Sequence, residues 1–177
     1  MNRRVLLLAP FGAVVLAGAG FMTMLHRAQD GKFDPHGVPS MLIDKHVPPF
    51  TLPGDPGFAD SDLAGRPILV NFFASWCVPC IEEASALMSL KQAGVPLYGI
   101  AYKDKPAATA AFLAEHGNPF ARLGHDAPGR VAIDWGVTGV PESYLIDKAG
   151  IVRARWIGAL TPETIATELQ PLLRQFA

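Results

Sequence analysis

The chain has few cysteines and little net charge. Cys77 and Cys80 are its only two cysteines among 177 residues, and the formal net charge is -1. Two cysteines cannot build a disulfide framework, and a near-neutral chain gives no electrostatic reason to bind nucleic acid. The five histidines are scattered without ligand spacing, so a zinc site on the cysteine pair would lack two further ligands. The sequence also shows no internal repeat, and its length suggests one domain plus a terminal extra segment.

The two cysteines lie three residues apart where an apolar run meets a helix-forming segment. Residues 68–75 are almost continuously apolar, which is typical of a strand buried on both faces of a sheet. The motif Trp76-Cys77-Val78-Pro79-Cys80 follows. Pro79 falls in the first turn of the predicted helix, where the missing N–H costs nothing. The motif therefore predicts a strand, a tight turn and a helix N-terminus.

This placement favours redox chemistry at the cysteine pair. Free N–H groups and the positive end of the helix dipole lower the pKa of a thiol, and the thiolate is the reactive species. Cys77 is therefore the candidate nucleophile, expected nearer the solvent, and Cys80 the resolving thiol. A structural disulfide is the main alternative, but so short a loop removes little entropy from the unfolded chain. A zinc site and two inert core thiols are weaker alternatives.

The N-terminus predicts export. Residues 1–4 are basic and are expected in the cytoplasm, whereas residues 5–25 carry no charge and are just long enough to cross a bilayer as a helix. We therefore expect a signal-anchor over 5–25, a linker over 26–46 and a folded domain over 47–177. A removed signal peptide is the alternative, because Ala17-Gly18-Ala19 resembles a cleavage site. Either way the cysteines face an oxidising compartment.

The rest of the chain predicts an α/β domain. Residues 47–63 indicate an N-terminal β-hairpin, since Pro48 and Pro49 suit an edge strand. Further strands are expected over 95–102, 121–123, 143–146 and 151–157, and helices over 106–116, 129–135 and 161–175. Parallel strands joined by helices, followed by an antiparallel pair, make a mixed central sheet flanked by helices on both faces.

Two motifs together resemble the thioredoxin-like proteins. One is Trp76 with the cysteine pair, and the other is Val140-Pro141 before a late strand. The resemblance implies that Pro141 is cis, lies against the cysteine pair, and leaves the Val140 backbone open to pair with an extended substrate peptide. The finer resemblance is to the CcmG/DsbE branch. It rests on the N-terminal anchor, the Pro-Pro-Phe entry to the first strand, the Asn-Phe-Phe-Ala-Ser approach to the cysteines, the Gly-Val-x-Gly-x-Pro-Glu loop, and a βα insertion over 95–117.

Membership of that branch implies a thiol:disulfide oxidoreductase that needs no metal or organic cofactor. It would be held in the inner membrane with its catalytic domain in the periplasm. It would reduce the haem-binding CxxCH disulfide of apocytochrome c during cytochrome c maturation, directly or through a CcmH-type thiol protein. A membrane electron carrier of the DsbD/CcdA type would then reduce it again.

The resemblance also implies roles for two acids. Glu83 resembles an active-site glutamate of the branch, and Glu142 resembles a groove glutamate. Asn71 stands where ordinary thioredoxins keep a buried aspartate. We therefore hypothesise that Glu83 raises the pKa of a nearby thiol or accepts its proton. The alternative is a solvated helix glutamate. Trp76 is expected at the rim of the site.

Other functions on the same fold compete with this interpretation. The nearest is a TlpA/ResA-like general periplasmic reductase. A strong oxidant of the DsbA type is disfavoured because the chain lacks a large helical insertion, and a peroxidase is disfavoured because no Pro-x-x-x-Thr-x-x-Cys pattern is present. A non-catalytic copper-binding or apoprotein-binding module is a different class. Copper chaperones of this fold add a histidine after the late strand, and no histidine follows His125.

Overall fold

The chain divides into two compact units, Met1–Pro39 and Ser40–Ala177, in a computed structural model that describes residues 12, 14–24 and 40–176. In the first unit, residues 14–24 are helical. Among the described residues no helix is both long and apolar enough to cross a membrane. Residues 5–11, 13 and 25 of the predicted anchor, and the predicted linker up to residue 39, lie outside the described residues.

The second unit contains seven strands in two sheets. Strands β1 (Thr51–Leu52) and β2 (Phe58–Ala59) form the expected N-terminal hairpin. The main sheet has the order β5-β4-β3-β6-β7. Its strands are β3 (Ile68–Phe73), β4 (Leu97–Tyr102), β5 (Arg122–Asp126), β6 (Glu142–Ile146) and β7 (Val152–Ile157). Strands β3, β4 and β5 are parallel, whereas β6 and β7 run antiparallel to their neighbours, so the sheet is mixed as predicted.

The helices of this unit begin and end close to their predicted bounds. They are α1 (Val78–Gln92), α2 (Pro106–His116) and α3 (Arg130–Trp135). Local signals explain the agreement: Pro79 and Pro106 lie in first turns, and Gly94, with φ of 81°, follows the end of α1. The predicted insertion over 95–117 corresponds to β4 and α2, and β4 is an interior strand between β3 and β5.

The C-terminal helix is irregular. It begins with Pro162–Thr164, continues as a π-helical segment over Ile165–Leu169, and ends with Gln170–Phe176. The π-helical segment comes just before Pro171, whose ring would clash with the carbonyl four residues earlier in a regular α-helix. The helix therefore accommodates Pro171 with a widened turn. Thr161 caps the helix by accepting a hydrogen bond from Thr164 N.

Strand β3 explains why the apolar run is continuous. All six of its residues are buried. Leu69 and Phe73 pack into the core under α1 and the C-terminal helix, whereas Ile68, Val70 and Phe72 pack into the core under α3 and the N-terminal hairpin. Side chains alternate between the faces of a strand, so a strand covered on both faces needs apolar residues at nearly every position.

The folded unit begins earlier than predicted. Residues 40–46, expected in the linker, belong to the second unit and run beside β7. His46 forms an antiparallel bridge with Ile151, and Asp44 N and Lys45 O bond to Val152. No local pattern predicted this segment because its partners lie more than 100 residues away.

Candidate functional site

The cysteine pair lies at the N-terminus of α1, where the sequence predicts it. Cys77 is the N-cap residue, and its Sγ accepts a hydrogen bond from Cys80 N at 3.2 Å. The two cysteines are joined by a disulfide, with their Cα atoms 5.3 Å apart. A backbone N–H directed at Cys77 Sγ would also stabilise the thiolate after reduction.

The two sulfur atoms face different surroundings, although both cysteines are buried. Cys77 is 3 % exposed and Cys80 is 2 % exposed, so exposure does not separate them in the way that we expected. Cys77 Sγ lies 3.4 Å from Val140 O, whereas Cys80 lines an inner pocket together with Glu83. The sulfur of Cys77 therefore lies beside Val140, and Cys80 lies beside the pocket that Glu83 also lines.

The rim around Cys77 is exposed and apolar. Trp76 is 58 % exposed, and Val78 and Pro79 beside it are also exposed. The indole Nε1 of Trp76 donates to Lys103 O at 3.4 Å. Exposed apolar side chains around a buried reactive sulfur are suited to contact with a polypeptide.

Val140 and Pro141 form the opposite wall of the site. The Val140–Pro141 peptide bond is cis, as the resemblance implies. Pro141 O accepts a hydrogen bond from Gly158 N at 2.9 Å, which fixes this end of the loop to the chain after β7. A second cis bond, Asp55–Pro56, lies in the β1–β2 turn and was not predicted.

Glu83 is a buried residue on the inner side of α1. It is 1 % exposed, so it is not a solvated helix glutamate. Its Oε1 accepts from Asn71 Nδ2 at 2.9 Å and its Oε2 from Leu160 N at 3.0 Å. Burial raises the pKa of Glu83 to about 7, although the two hydrogen bonds oppose the rise. Glu83 can therefore gain or lose a proton near neutral pH.

Glu142 does not lie in the groove that the resemblance implies. It is 0 % exposed and accepts hydrogen bonds from Arg155, Tyr144 and Thr138. Burial, followed by the contact with Glu142, raises the pKa of Tyr144. Glu142 therefore belongs to a buried polar network beneath the loop of residues 136–141.

Sequence reasoning missed Asp104. Its carboxylate accepts from Ser75 N at 2.7 Å, Ser75 Oγ at 2.9 Å, Thr109 Oγ1 at 3.0 Å and Lys105 N at 2.8 Å. Burial alone would raise the pKa of Asp104, but these hydrogen bonds outweigh it and lower the pKa. The one available signal was the position of Asp104, just after a buried strand parallel to β3.

Sequence reasoning also missed the partners of Glu142. Arg155 was expected only as part of the strand over 151–157, yet its side chain is only 6 % exposed and pairs with Glu142. Tyr144 was expected only as part of a strand. An alternating pattern marks which residues share a face, but it cannot say which charges meet across strands.

Comparisons with known proteins agree with this geometry. A family model described as the AhpC/TSA family matches residues 43–155. The thiol:disulfide interchange protein HelX of Rhodobacter capsulatus is 41 % identical over 160 residues, covering 88 % of each chain. DsbE of Pseudomonas aeruginosa is 38 % identical, covering 98 % of this chain and 95 % of that protein, and DsbE of Escherichia coli K12 is 37 % identical, covering 100 % and 97 %.

Solved structures show the same fold. The crystal structure of a proposed thiol:disulfide interchange protein DsbE from Chlorobium tepidum has a TM-score of 0.59 and 30 % identity, covering 72 % of this chain and 93 % of that chain. The thioredoxin domain of a Bacteroides vulgatus oxidoreductase has a TM-score of 0.66 at 17 % identity, covering 76 % and 99 %. At that identity the second likeness supports the thioredoxin-like fold alone.

Proposed function

Since the chain belongs to the AhpC/TSA family and to the DsbE thiol:disulfide interchange proteins, we propose that it serves as a reductant in cytochrome c maturation. Thiol:disulfide exchange is its enzymatic activity. The proposal concerns the direction of that exchange and its substrate, the CxxCH disulfide of apocytochrome c. The observation that carries the proposal is the position of Glu83 and Cys80 in one inner pocket.

The exchange proceeds in two steps. The Cys77 thiolate attacks one sulfur of the substrate disulfide, forming a mixed disulfide and releasing the other substrate sulfur as a thiolate. Cys80 loses its proton and attacks Cys77 Sγ, which releases the second substrate sulfur and leaves the Cys77–Cys80 disulfide. Two electrons pass to the substrate, and its two sulfurs each take up a proton. The Cys77–Cys80 disulfide in this structure is the state that these two steps produce.

Glu83 supports the reducing direction. A dithiol is strongly oxidising in its disulfide form when the protein stabilises the reduced state, as in DsbA. An acid near a thiol does the reverse once it is ionised, because a negative charge disfavours the thiolate. Glu83 can also accept the Cys80 proton near neutral pH, since its pKa is raised to about 7. The first effect favours transfer of electrons out of the cysteine pair, and the second speeds the attack of Cys80 on Cys77 Sγ.

The partners and location follow from the same proposal. The oxidised pair would be reduced again by a membrane electron carrier of the DsbD/CcdA type, and electrons would reach apocytochrome c directly or through a CcmH-type thiol protein. The catalytic unit would lie in the periplasm, held at the inner membrane by residues 5–25. The support for this location is the uncharged N-terminal run after Arg3 and Arg4. No metal or organic cofactor takes part in the exchange.

The test has two measurements. Equilibration of the full chain with glutathione buffers should give a reduction potential near that of thioredoxin, about -270 mV, and a value near the -120 mV of DsbA would overturn the reductant role. The reduced protein should also reduce a peptide with a Cys-x-x-Cys-His disulfide at least tenfold faster than a peptide whose disulfide closes an unrelated loop. Equal rates would indicate a TlpA/ResA-like general reductase instead.

A cysteine variant separates catalysis from binding. Cys77→Ser removes the nucleophile and should abolish both peptide reduction and cytochrome c assembly in cells that depend on this protein. Cytochrome assembly that persists with Cys77→Ser would contradict the enzymatic role and favour an apoprotein-binding module. Cys80→Ser should instead accumulate the mixed disulfide with the peptide, since the second step is blocked.

A further inference from the structure

Glu142 has no capacity left to bind a substrate. Oε1 accepts from Arg155 Nε at 2.7 Å and from Tyr144 OH, and Oε2 accepts from Thr138 N and Thr138 Oγ1, both at 3.2 Å. A carboxylate offers about four lone-pair sites, and four donors fill them. The side chain is also fully buried. A substrate could reach it only if this network came apart.

Arg155 connects the same carboxylate to the loop before Pro141. It lies on β7 directly opposite Tyr144 of β6, and so diagonal to Glu142. Its Nη2 donates to Gly136 O at 3.2 Å and to Thr138 Oγ1 at 3.4 Å. One guanidinium therefore holds the first half of the loop and the Glu142 carboxylate in a single arrangement, which suits the rigid fork of arginine.

The loop held in this way carries the wall of the active site. Residues 136–141 run from the end of α3 to the start of β6, and Val140 lies between Thr138 and Glu142. Val140 O lies 3.4 Å from Cys77 Sγ. The network fixes the loop two residues before Val140 and again two residues after it. A shift at either fixed point would move the Val140 backbone relative to the sulfur.

We propose that Glu142 and Arg155 are positioning residues that hold residues 136–141 so that the Val140 backbone is ready to pair with a disulfide-bearing peptide. This inference rests on the proposed function, because it needs a polypeptide substrate. It changes the role of Glu142 from a groove residue to a buried support. An ordered backbone edge lowers the ordering cost of binding a peptide strand. A small disulfide does not use that edge and gains nothing from it.

The test compares two disulfides on the pre-reduced full chain in single-turnover experiments. One is a synthetic peptide with a Cys-x-x-Cys-His disulfide, and the other is glutathione disulfide. In Glu142→Gln, the peptide concentration that gives the half-maximal rate should rise about tenfold, the factor expected from the loss of a hydrogen bond to a charged group. The limiting rate, and the rate with glutathione disulfide, should stay within about twofold of the unchanged chain.

A second variant, Thr138→Val, tests the same network in case Glu142→Gln does not fold. Thr138→Val removes one donor to Glu142 and one acceptor from Arg155 while leaving the β6–β7 core intact. It should raise the same half-maximal peptide concentration by about threefold to tenfold. Thr167→Val is the matched control, because Thr167 Oγ1 bonds only to Glu163 O in its own helix among the contacts described. That control should match the unchanged chain with both disulfides.

Each other outcome contradicts the inference. If Glu142→Gln weakens peptide use but Thr138→Val does not, Glu142 contacts the substrate directly. If both variants slow both disulfides equally, the network serves stability alone. If neither variant changes peptide use, the loop needs no support. If the unchanged chain reduces neither disulfide, the proposed function itself fails, and the inference fails with it.

Discussion

Glu83 and Glu142 are both buried glutamates, but the groups that contact their carboxylates differ in charge. Glu142 forms an ion pair with Arg155, with Oε1 and Nε 2.7 Å apart. The donors that reach Glu83 are the neutral Asn71 amide and the Leu160 N–H. Neutral donors only partly offset the cost of burying a carboxylate charge, so burial raises the pKa of Glu83.

The titration of Glu83 predicts a pH-dependent stability of the oxidised protein. Its pKa is about 7 in the folded state, above the ordinary value of 4.5 for a glutamate, so the folded state binds the proton more tightly. The contribution of Glu83 to stability should therefore be fully present below pH 4.5 and be lost as the pH rises through about 7, by about 3 kcal/mol in total. In Glu83→Gln this part of the fall should be absent, as measured by urea unfolding at several pH values.

Glu82→Gln is the matched control for this measurement. Glu82 is the neighbouring residue on α1 and is exposed, so its variant should keep the pH dependence of the unchanged chain. A fall between pH 4.5 and 7 that is equally large in Glu83→Gln and in the unchanged chain would show that Glu83 does not titrate in this range.

At the scale of elements, Asp104 joins two turns at one edge of the sheet. β3 and β4 are parallel neighbours, so their C-terminal ends lie at the same edge. Asp104 follows β4 and accepts from both Ser75 N and Ser75 Oγ just after β3. It also accepts from Thr109 Oγ1 in α2. The turn that presents Trp76 and Cys77 is therefore fastened to the start of the next helix.

Asp104→Asn should loosen this connection. The asparagine NH₂ group would face donors on Ser75, Lys105 or Thr109, so at least one buried donor would lose its partner, at a cost of about 1–3 kcal/mol. The free energy of unfolding should fall by that amount, and amide exchange at Ser75 should become faster. Because the pKa of Asp104 is lowered in the folded state, its stabilisation exists above the unfolded pKa and is lost as the pH falls through the folded pKa.

Asp134→Asn is the matched control at an exposed aspartate on α3. Asp134 pairs with Arg130 one turn away on α3, and both side chains are substantially exposed, so its loss should cost no more than about 0.5 kcal/mol. If Asp104→Asn is as stable as this control and amide exchange at Ser75 is unchanged, Asp104 does not support the turn that presents Trp76 and Cys77.

At the scale of the molecule, the folded unit depends on the segment before β1. Residues 40–47 contribute three backbone hydrogen bonds to the β6–β7 turn and to β7: Asp44 N to Val152 O, Val47 N to Gly150 O, and Val152 N to Lys45 O. Val152 is fully buried. The ion pair of Arg153 with Asp44 is more exposed and adds less, as exposed pairs do.

Two truncated chains test this dependence. A chain that starts at residue 40 should unfold with the stability of the full second unit, whereas one that starts at residue 47 should be less stable by about 2 kcal/mol, because Val152 N loses its buried partner. Urea unfolding at a fixed pH measures the difference. Equal stability of the two chains would mean that the segment lies on β7 without supporting it.

The sequence by itself determined the features that depend on near neighbours. The apolar run before Cys77, Pro79 in the first turn and Gly94 after the end of α1 act within a few residues. They were sufficient to predict the strand–turn–helix that presents the cysteines, and the order of strands and helices along the chain predicted the mixed sheet around it. The family resemblance added the cis bond before Pro141, which no local pattern predicts.

Only the tertiary structure decided which buried charges meet. The ion pair of Glu142 with Arg155 depends on the register of β6 against β7. That register shifts at an irregularity between Leu145 and Ile146. The bond of Asp104 to Ser75 depends on β3 and β4 being neighbours. Strand order and register are set by the packing of the whole domain, because a shift of one residue reverses every side chain. The sequence therefore placed the reactive sulfurs, and the packed domain placed the acids around them.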